Sequence, residues 1–572
     1  MVTSAVRQSR SGRVGVATVK RILAVLTLGA VLLGGPSDAA SSAAPTAARP
    51  YWVFFRDHGP ETSAVSSRDA VDLTPRALAR RKRAARERGE ASTGPVSGAS
   101  RELDPSPSYV SAVERLGATK RSRSRWLNAV SVDATSAVVE GIRALPFVRE
   151  VLPVANGTRD ATNLAAADET ETESAYRQVQ MLGIPEAHLL GYRGQGVLIC
   201  VLDSGFDLSH ESLRHLVVRD TRDFLQNDRD VSFQPGRDLP KQAYHGTQVL
   251  SVLAGNAPGK LMGPAPDAEF LLGKTEDIAR ETHIEEDKWV EAVEWAEALG
   301  ADILVSSLTY TTWYRPQDRD GRTAVISQAA NLAFERGLLI VNSIGNYGPN
   351  ERTLSPPADA PGVIAVGSVD VNGSISPFSS LGPTWDGRVK PDLVAMGSNA
   401  GIAAGGTRDG YTTGSGTSYS NPLVAGCAAI VLSAHPDWGP EAVREALLMT
   451  ASRAAQPDPR YGWGIPNAPD AMRYPALEGI VTDMHTQEPI ESALVLWSPV
   501  TPVDSSSVAP TDSRPSGETR SDEDGAYVIP NLPRGTYVLK VQVPGYFELT
   551  SEPLEVPPGL QDVNFALRYR GE

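Results

Sequence analysis

From about residue 176 to about 475, short apolar runs alternate with longer stretches of helical pattern. Positions 197–202, 303–305, 338–341 and 363–366 carry apolar side chains at consecutive residues, so each run would be buried on both faces. Strands of that kind belong to a parallel sheet covered on both sides, because parallel neighbours need crossover helices. The pattern predicts an α/β unit over 176–475, three layers (α/β/α) with a mainly parallel sheet.

The flanks read differently. Residues 50–55, Pro-Tyr-Trp-Val-Phe-Phe, suit a strand, and Thr74-Pro75 opens a basic helix through Arg88 with Thr as cap and Pro in the first turn. Residues 91–108 read as a loop. Residues 127–132 and 147–154 suit two more strands, and 136–145 a helix. Together these predict a small α+β unit over 50–154. Residues 155–175 are polar and acidic and read as a linker. From 477 to 570, short alternating strands and Gly525, Gly535 and Gly545 indicate an antiparallel β-sandwich.

Composition narrows the class. Apolar residues make up 41% and charged residues 21%, too apolar for a disordered chain. Two cysteines in 572 residues exclude a disulfide scaffold. Residues 22–35 form an apolar run shorter than the roughly 20 residues that a membrane span needs. Arg7, Arg10, Arg13, Lys20 and Arg21 precede it, and Pro36, Ser37, Asp38, Ala39 and Ala40 follow. That order predicts an export signal over 1–40 and a product in the periplasm, at the cell envelope or outside the cell, with no stable membrane span after signal removal. Charge is also divided: residues 1–155 hold 23 Lys and Arg against 13 Asp and Glu, and the remainder 31 against 55. A basic front piece and an acidic body attract each other. The acidic body offers no basic stripe to a phosphate backbone, so no nucleic-acid partner is expected.

Four stations in the central unit carry chemistry. Asp203-Ser204-Gly205 ends an apolar strand, where open α/β sheets place their sites. His245-Gly246-Thr247 opens an apolar helix, and Gly416-Thr417-Ser418-Tyr419-Ser420-Asn421-Pro422 precedes another, whose start is read at Pro422. Serine becomes a nucleophile when a His takes its proton, and a buried Asp fixes the ring tautomer. Gly345-Asn346 follows a further buried strand, and an Asn amide there can donate to an oxyanion, with the Ser418 N–H as second donor.

These motifs, in the order Asp, His, Asn, Ser, resemble the subtilisin-like serine peptidases. Phe378-Ser379-Ser380-Leu381-Gly382-Pro383-Thr384, Arg388-Val389-Lys390-Pro391-Asp392 and Tyr461-Gly462-Trp463-Gly464 extend the resemblance. It implies a subtilisin-like fold and an exported serine endopeptidase. Ser418 is then the nucleophile, His245 the general base, Asp203 its orienting carboxylate and Asn346 the oxyanion donor. Ser307, Leu308, Thr309, Ser343 and Gly345 would line the substrate cleft, Thr309 and Tyr310 standing where the family often has two glycines. Residues 51–154 resemble the family's ferredoxin-like propeptide, so the chain's own propeptide joins polypeptide substrates as a partner, with a maturation cut between about 150 and 175 by its own active site or another protease. The tail resembles the carboxypeptidase-regulatory-like sandwich. The resemblance also implies a monomer, no cofactor for the chemistry and room for structural calcium. Asp223, Asp228, Asp230 and Asp238 are an acidic cluster that could take that ion, with a solvated loop as the plainer reading. The alternative function is an inactive scaffold serving as a secreted binding or adhesion protein. Acyl transfer to non-protein substrates is a third. His210 and His215 stand five residues apart, which takes the second ring off a zinc-binding helix face. Cys200 and Cys427 read as small buried hydrophobes.

Overall fold

The computed structural model describes residues 47–59, 73–89, 103–155, 157–158, 163–165, 171–278, 285–310, 314–500, 516–529, 532, 535–556 and 560–571. The export signal expected over 1–40, and the loop read over 91–108 as far as 102, lie outside them.

The front unit is built from β1 (Arg49–Phe55), α1 (Pro75–Glu87), α2 (Pro107–Arg115), β2 (Thr119–Ser124), β3 (Ala129–Ala134), α3 (Ser136–Arg143) and β4 (Val148–Pro153). Its antiparallel sheet has the order β2-β3-β1-β4, a ferredoxin-like arrangement. Strand β1 is apolar on both faces for a reason. Val53 and Phe55 pack with Val113 of α2 and Ile142 of α3, whereas Trp52 and Phe54 join the core of the central unit. Strand β2, Thr-Lys-Arg-Ser-Arg-Ser, has no apolar face, and its sequence alone gives no strand signal. It forms because its inward Ser122 and Ser124 hydroxyls donate to Glu291 (2.9 Å) and Glu294 (2.5 Å) of the central unit.

Two short strands follow, β5 (Gly157–Thr158) and β6 (Asn163–Ala165), then α4 (Glu171–Gln180) and α5 (Ile184–Leu189). The sequence suggests only a linker over 155–175. Strands form there because the backbone finds partners far along the chain, which local composition cannot reveal. The central unit continues with β7 (Leu198–Asp203), β8 (Val217–Asp223), α6 (Tyr244–Ala254), β9 (Asn256–Ala257), β10 (Leu261–Met262), β11 (Glu269–Lys274), α7 (Glu285–Leu299), β12 (Ile303–Ser306) and β13 (Thr309–Tyr310). After these come α8 (Val325–Glu335), β14 (Leu339–Ser343), β15 (Ile364–Val369), β16 (Leu393–Met396), β17 (Ala400–Ala403), β18 (Tyr411–Ser415), α9 (Thr417–Ala434), α10 (Pro440–Met449) and α11 (Ala468–Arg473).

Seven strands make one parallel sheet, β16-β15-β14-β12-β7-β11-β8. Strand β7 shows why its sequence is apolar throughout. Ile199 and Val201 enter one core with Val249 of α6 and Leu423 and Val424 of α9. Leu198, Cys200 and Leu202 enter another with Trp289 and Val293 of α7 and Ala329 of α8. That second layer also receives Trp52 and Phe54, so the front unit's sheet closes the stack. Cys200 and Cys427 are free and buried, and burial raises both thiols above their ordinary range.

Burial under the front unit also acts on α7. Glu286 accepts the Ala155 N–H (2.9 Å) and Glu294 the Ser124 hydroxyl, and desolvation lifts each carboxyl to about 7. The tail forms two small sheets around Leu477, Val481, Val495, Tyr527, Leu539 and Phe565. Among the described residues, no helix is long and apolar enough to cross a membrane.

Candidate active site

The C-terminal ends of β7 and β14 and the N-termini of α6 and α9 meet at one edge of the sheet. Asp203 ends β7 and is fully buried. Its Oδ1 accepts the Ser204 N–H at 2.7 Å and the Ser204 hydroxyl at 3.0 Å. Both Asp203 oxygens lie 2.9 Å from His245 Nδ1. His245 stands in the first turn of α6, and Gly246 lets that turn sit against the strand. A Cβ on Gly246 would lie 2.2 Å from Gly205 O and 3.1 Å from Asp203 Cβ. No side chain fits there.

Ser418 is the second residue of α9, near the helix's positive end. Helix α9 begins at Thr417, five residues before the start expected from Pro422. Proline lacks the N–H that would reach the Ser418 carbonyl four residues back. The Ser307 hydroxyl donates to that carbonyl instead, at 3.4 Å, so the helix runs through the proline. Asn421 Nδ2 donates to Ser306 O at 2.9 Å and ties the same turn to β12.

Asn346 lies just beyond β14. Its Oδ1 accepts from the Thr417 N–H at 2.8 Å and the Thr417 hydroxyl at 2.9 Å. A backbone N–H only donates, so the atom facing it is the oxygen, and the amide nitrogen must turn the other way. Ser343 is buried, and the Asn342 amide holds Leu308 O (2.9 Å) and Ser343 O (2.8 Å) together. Gly345, at φ +106°, makes the bend between Ser343 and Asn346. Thr309 and Tyr310 pair with Thr158 and Gly157. Thus Asp203 joins His245, Asn346 joins the turn of Ser418, and Ser307 joins the Ser418 carbonyl. Ser418 takes its place from the first turn of α9.

Residues without a motif of their own hold this together. Tyr419 donates to Gln248 Oε1 at 2.9 Å, and its ring centroid lies 6.2 Å from that of His245, so neighbours of Ser418 and His245 lock α9 to α6. Gln242 spans Ser204 O (2.7 Å) and Glu276 O (2.5 Å). Glu276 brings a third carboxyl near the pair. Ligand atoms of Asp203, His245 and Glu276 lie within 4.8 Å of one another.

In the acidic cluster of Asp223, Asp228, Asp230 and Asp238, two of the carboxylates meet a lysine. Lys274 Nζ lies 3.0 Å from Asp223 and 2.8 Å from both oxygens of Asp238, the side chains of Lys274 and Asp223 being fully buried and that of Asp238 nearly so. Asp228 pairs with Arg237, and Asp230 accepts from Ser232. His210 and His215 bond separate carbonyls, of Gly410 and Pro266.

Three family models match. The Subtilase family (Peptidase S8) covers residues 194–464, the Peptidase S8 propeptide domain, Bacteroidota, covers 50–171, and the carboxypeptidase regulatory-like domain covers 476–568. Subtilisin NAT of Bacillus subtilis subsp. natto is 32% identical over 301 residues, 51% of this chain and 71% of its own. The subtilisin of Bacillus pumilus is 31% identical over 280 residues, 48% of this chain and 90% of its own. Fervidolysin from Fervidobacterium pennivorans, described as a keratinolytic enzyme related to subtilisin, shares the fold. It has a TM-score of 0.53 and 18% identity over 81% of this chain and 77% of its own. With a subtilisin matched over nine-tenths of its length and the propeptide model matched beside it, this chain belongs to the subtilase family and is a serine-type endopeptidase made as a precursor.

Proposed function

We propose that the protein is an exported endopeptidase that cleaves polypeptides through Asp203, His245 and Ser418, and that it frees itself from residues 50–154 with the same site. The observation that carries this reading is the buried Asp203–His245 pair, 2.9 Å apart, at the sheet edge where α9 begins with Ser418. In the first step Ser418 Oγ bonds to the peptide carbonyl carbon and its proton passes to His245 Nε2. The oxyanion takes the Asn346 amide and the Ser418 N–H. The C–N bond then breaks, and His245 gives its proton to the leaving amine. Water repeats the sequence on the resulting ester and restores Ser418. No cofactor enters these steps. Asn346→Leu is expected to lower kcat on a peptide substrate on the order of 10²–10³-fold with KM little changed, the cost known for this donor in subtilisin. A drop under tenfold would remove Asn346 from the role.

Two backbone pairings support self-processing. Gly157 and Thr158 pair with Tyr310 and Thr309, just beyond Ser307, whose hydroxyl reaches the Ser418 carbonyl. Asn163 to Ala165 pair with Ser415 to Thr413, just before Ser418. The chain therefore approaches Ser418 on one side as a strand and leaves on the other as a strand. The cut falls among the bonds from Thr158 to Asn163. N-terminal sequencing of the mature protein should begin at a residue between 159 and 163; a start outside that window sinks self-processing by this route.

A further inference from the structure

Helix α1 is docked on the central unit at a place unconnected with catalysis. Its sequence, Pro-Arg-Ala-Leu-Ala-Arg-Arg-Lys-Arg-Ala-Ala-Arg-Glu, is strongly basic. Arg81 forks onto Glu297 with contacts of 2.8 and 2.6 Å, and Arg80 pairs with the same carboxylate. Arg80, Arg81 and Glu297 are almost fully buried. Arg83 reaches Asp302 at 2.7 Å and Pro436 O at 2.8 Å, and Arg76 reaches Asp302 and Gly196 O, the latter at 2.7 Å. Thr74 takes Leu299 O at 2.9 Å and Arg80 takes Glu297 O at 3.0 Å, carbonyls at the end of α7. At the other end of α1, Glu87 accepts the Gly439 N–H at 2.6 Å, at the start of α10. Cations thus meet the negative end of one helix, and a carboxylate meets the positive end of another. Gly300 admits the helix backbone: a Cβ there would stand 2.7 Å from Ala77 N.

The edge of the sheet fixes the distance from the active site. Gly196 precedes β7, Asp302 precedes β12, and Arg336, whose carbonyl accepts from Arg80 at 3.3 Å, precedes β14. These are the N-terminal ends of parallel strands. Asp203 closes the C-terminal end of β7, and Asn346 lies beyond that of β14. Six residues of strand at about 3.3 Å each separate the two edges by roughly 20 Å. Occupying one edge leaves the other open.

We propose that the acidic groove formed by Glu297, Asp302 and the end of α7 is a second binding site on the mature enzyme, with the arginine-rich helix α1 as its ligand, and that it retains the cleaved propeptide independently of the substrate cleft. The proposal rests on the self-processing reading above. It goes beyond inhibition at the cleft, because the groove holds without blocking. Nineteen residues separate Phe55 from Pro75 and another nineteen separate Glu87 from Pro107, so α1 and the β1–β4 sheet are tethered but separate contacts. Two tethered contacts raise retention about 10²–10⁴-fold over one.

The test uses the full chain after it has cut itself. The cut complex is diluted into a chromogenic peptide, and the lag before full activity reports propeptide loss. Arg81→Ala with Arg83→Ala should shorten the lag about 10²-fold. The steady rate per enzyme should be unchanged, because the shed enzyme is identical in sequence. Because that variant could fail to fold, a synthetic peptide of residues 73–89 is also titrated onto wild-type mature enzyme. It should bind, more weakly in high salt, without slowing hydrolysis. An unchanged lag in a folded variant, or a peptide that fails to bind or that inhibits, overturns the proposal alone. A wild-type chain that stays uncut overturns self-processing and this proposal with it.

Discussion

Ser418→Ala should leave a folded, full-length chain that never sheds its front unit and hydrolyses peptides about 10⁶-fold more slowly than wild type, the loss known for this serine in subtilisin. The size follows from the geometry. Without Oγ no ester forms, so the base at His245 and the oxyanion donors have no nucleophile to serve. What remains is binding and the donor pair acting on water, still a modest acceleration over solution. The front unit is attached through residues 155–175, and its removal should stop in the same variant, visible as a single uncut band. Thermal unfolding of the uncut variant serves as the control for folding. Equal activity and equal processing in wild type and variant would return the chain to the alternative reading, a scaffold that binds rather than cuts.

Asp203→Asn should cost about 10⁴-fold in kcat while leaving the fold intact. The Ser204 N–H stands 2.7 Å from Oδ1 and can only donate, so the carbonyl oxygen of an introduced Asn turns toward it. The amide NH2 then faces His245 Nδ1, which must accept. That places the ring proton on Nε2, the atom that has to receive the Ser418 proton. The variant's activity should recover in part at alkaline pH, as hydroxide takes over the role of base. A loss below tenfold, or a pH profile like that of wild type, would show that Asp203 does not set the tautomer.

The proposed catalytic positions stand out in the sequence because each pairs a particular residue type with a particular place in the fold. Asp203 closes an apolar strand, His245 and Ser418 open apolar helices, and Asn346 follows a buried strand. Both-face apolar runs announced the parallel sheet for the same reason: β7 sends alternate residues into two cores. What stayed hidden depends on partners distant in sequence. Strand β2 is held by acids of α7 some 170 residues away, so its own residues look like loop. Strands β5 and β6 exist only through β13 and β18. Helix α9 starts ahead of Pro422, although proline usually marks a first turn, and nothing in the local sequence reveals a serine hydroxyl at 307 that can replace the missing amide. Tyr419 and Gln248 form a bond across two helices that no spacing along one chain segment encodes.

A lysine, Lys274, sits between Asp223 and Asp238. An ion has to be drawn from the surroundings and is lost to any chelator, whereas a lysine is supplied by the gene with every copy of the chain. Removing one partner of such a buried pair costs about 3–5 kcal/mol, because the charge left behind is buried without a counter-charge. One ammonium here answers two carboxylates, and the strand ends that it joins, β8 and β11, are tied by a group that the chain itself carries.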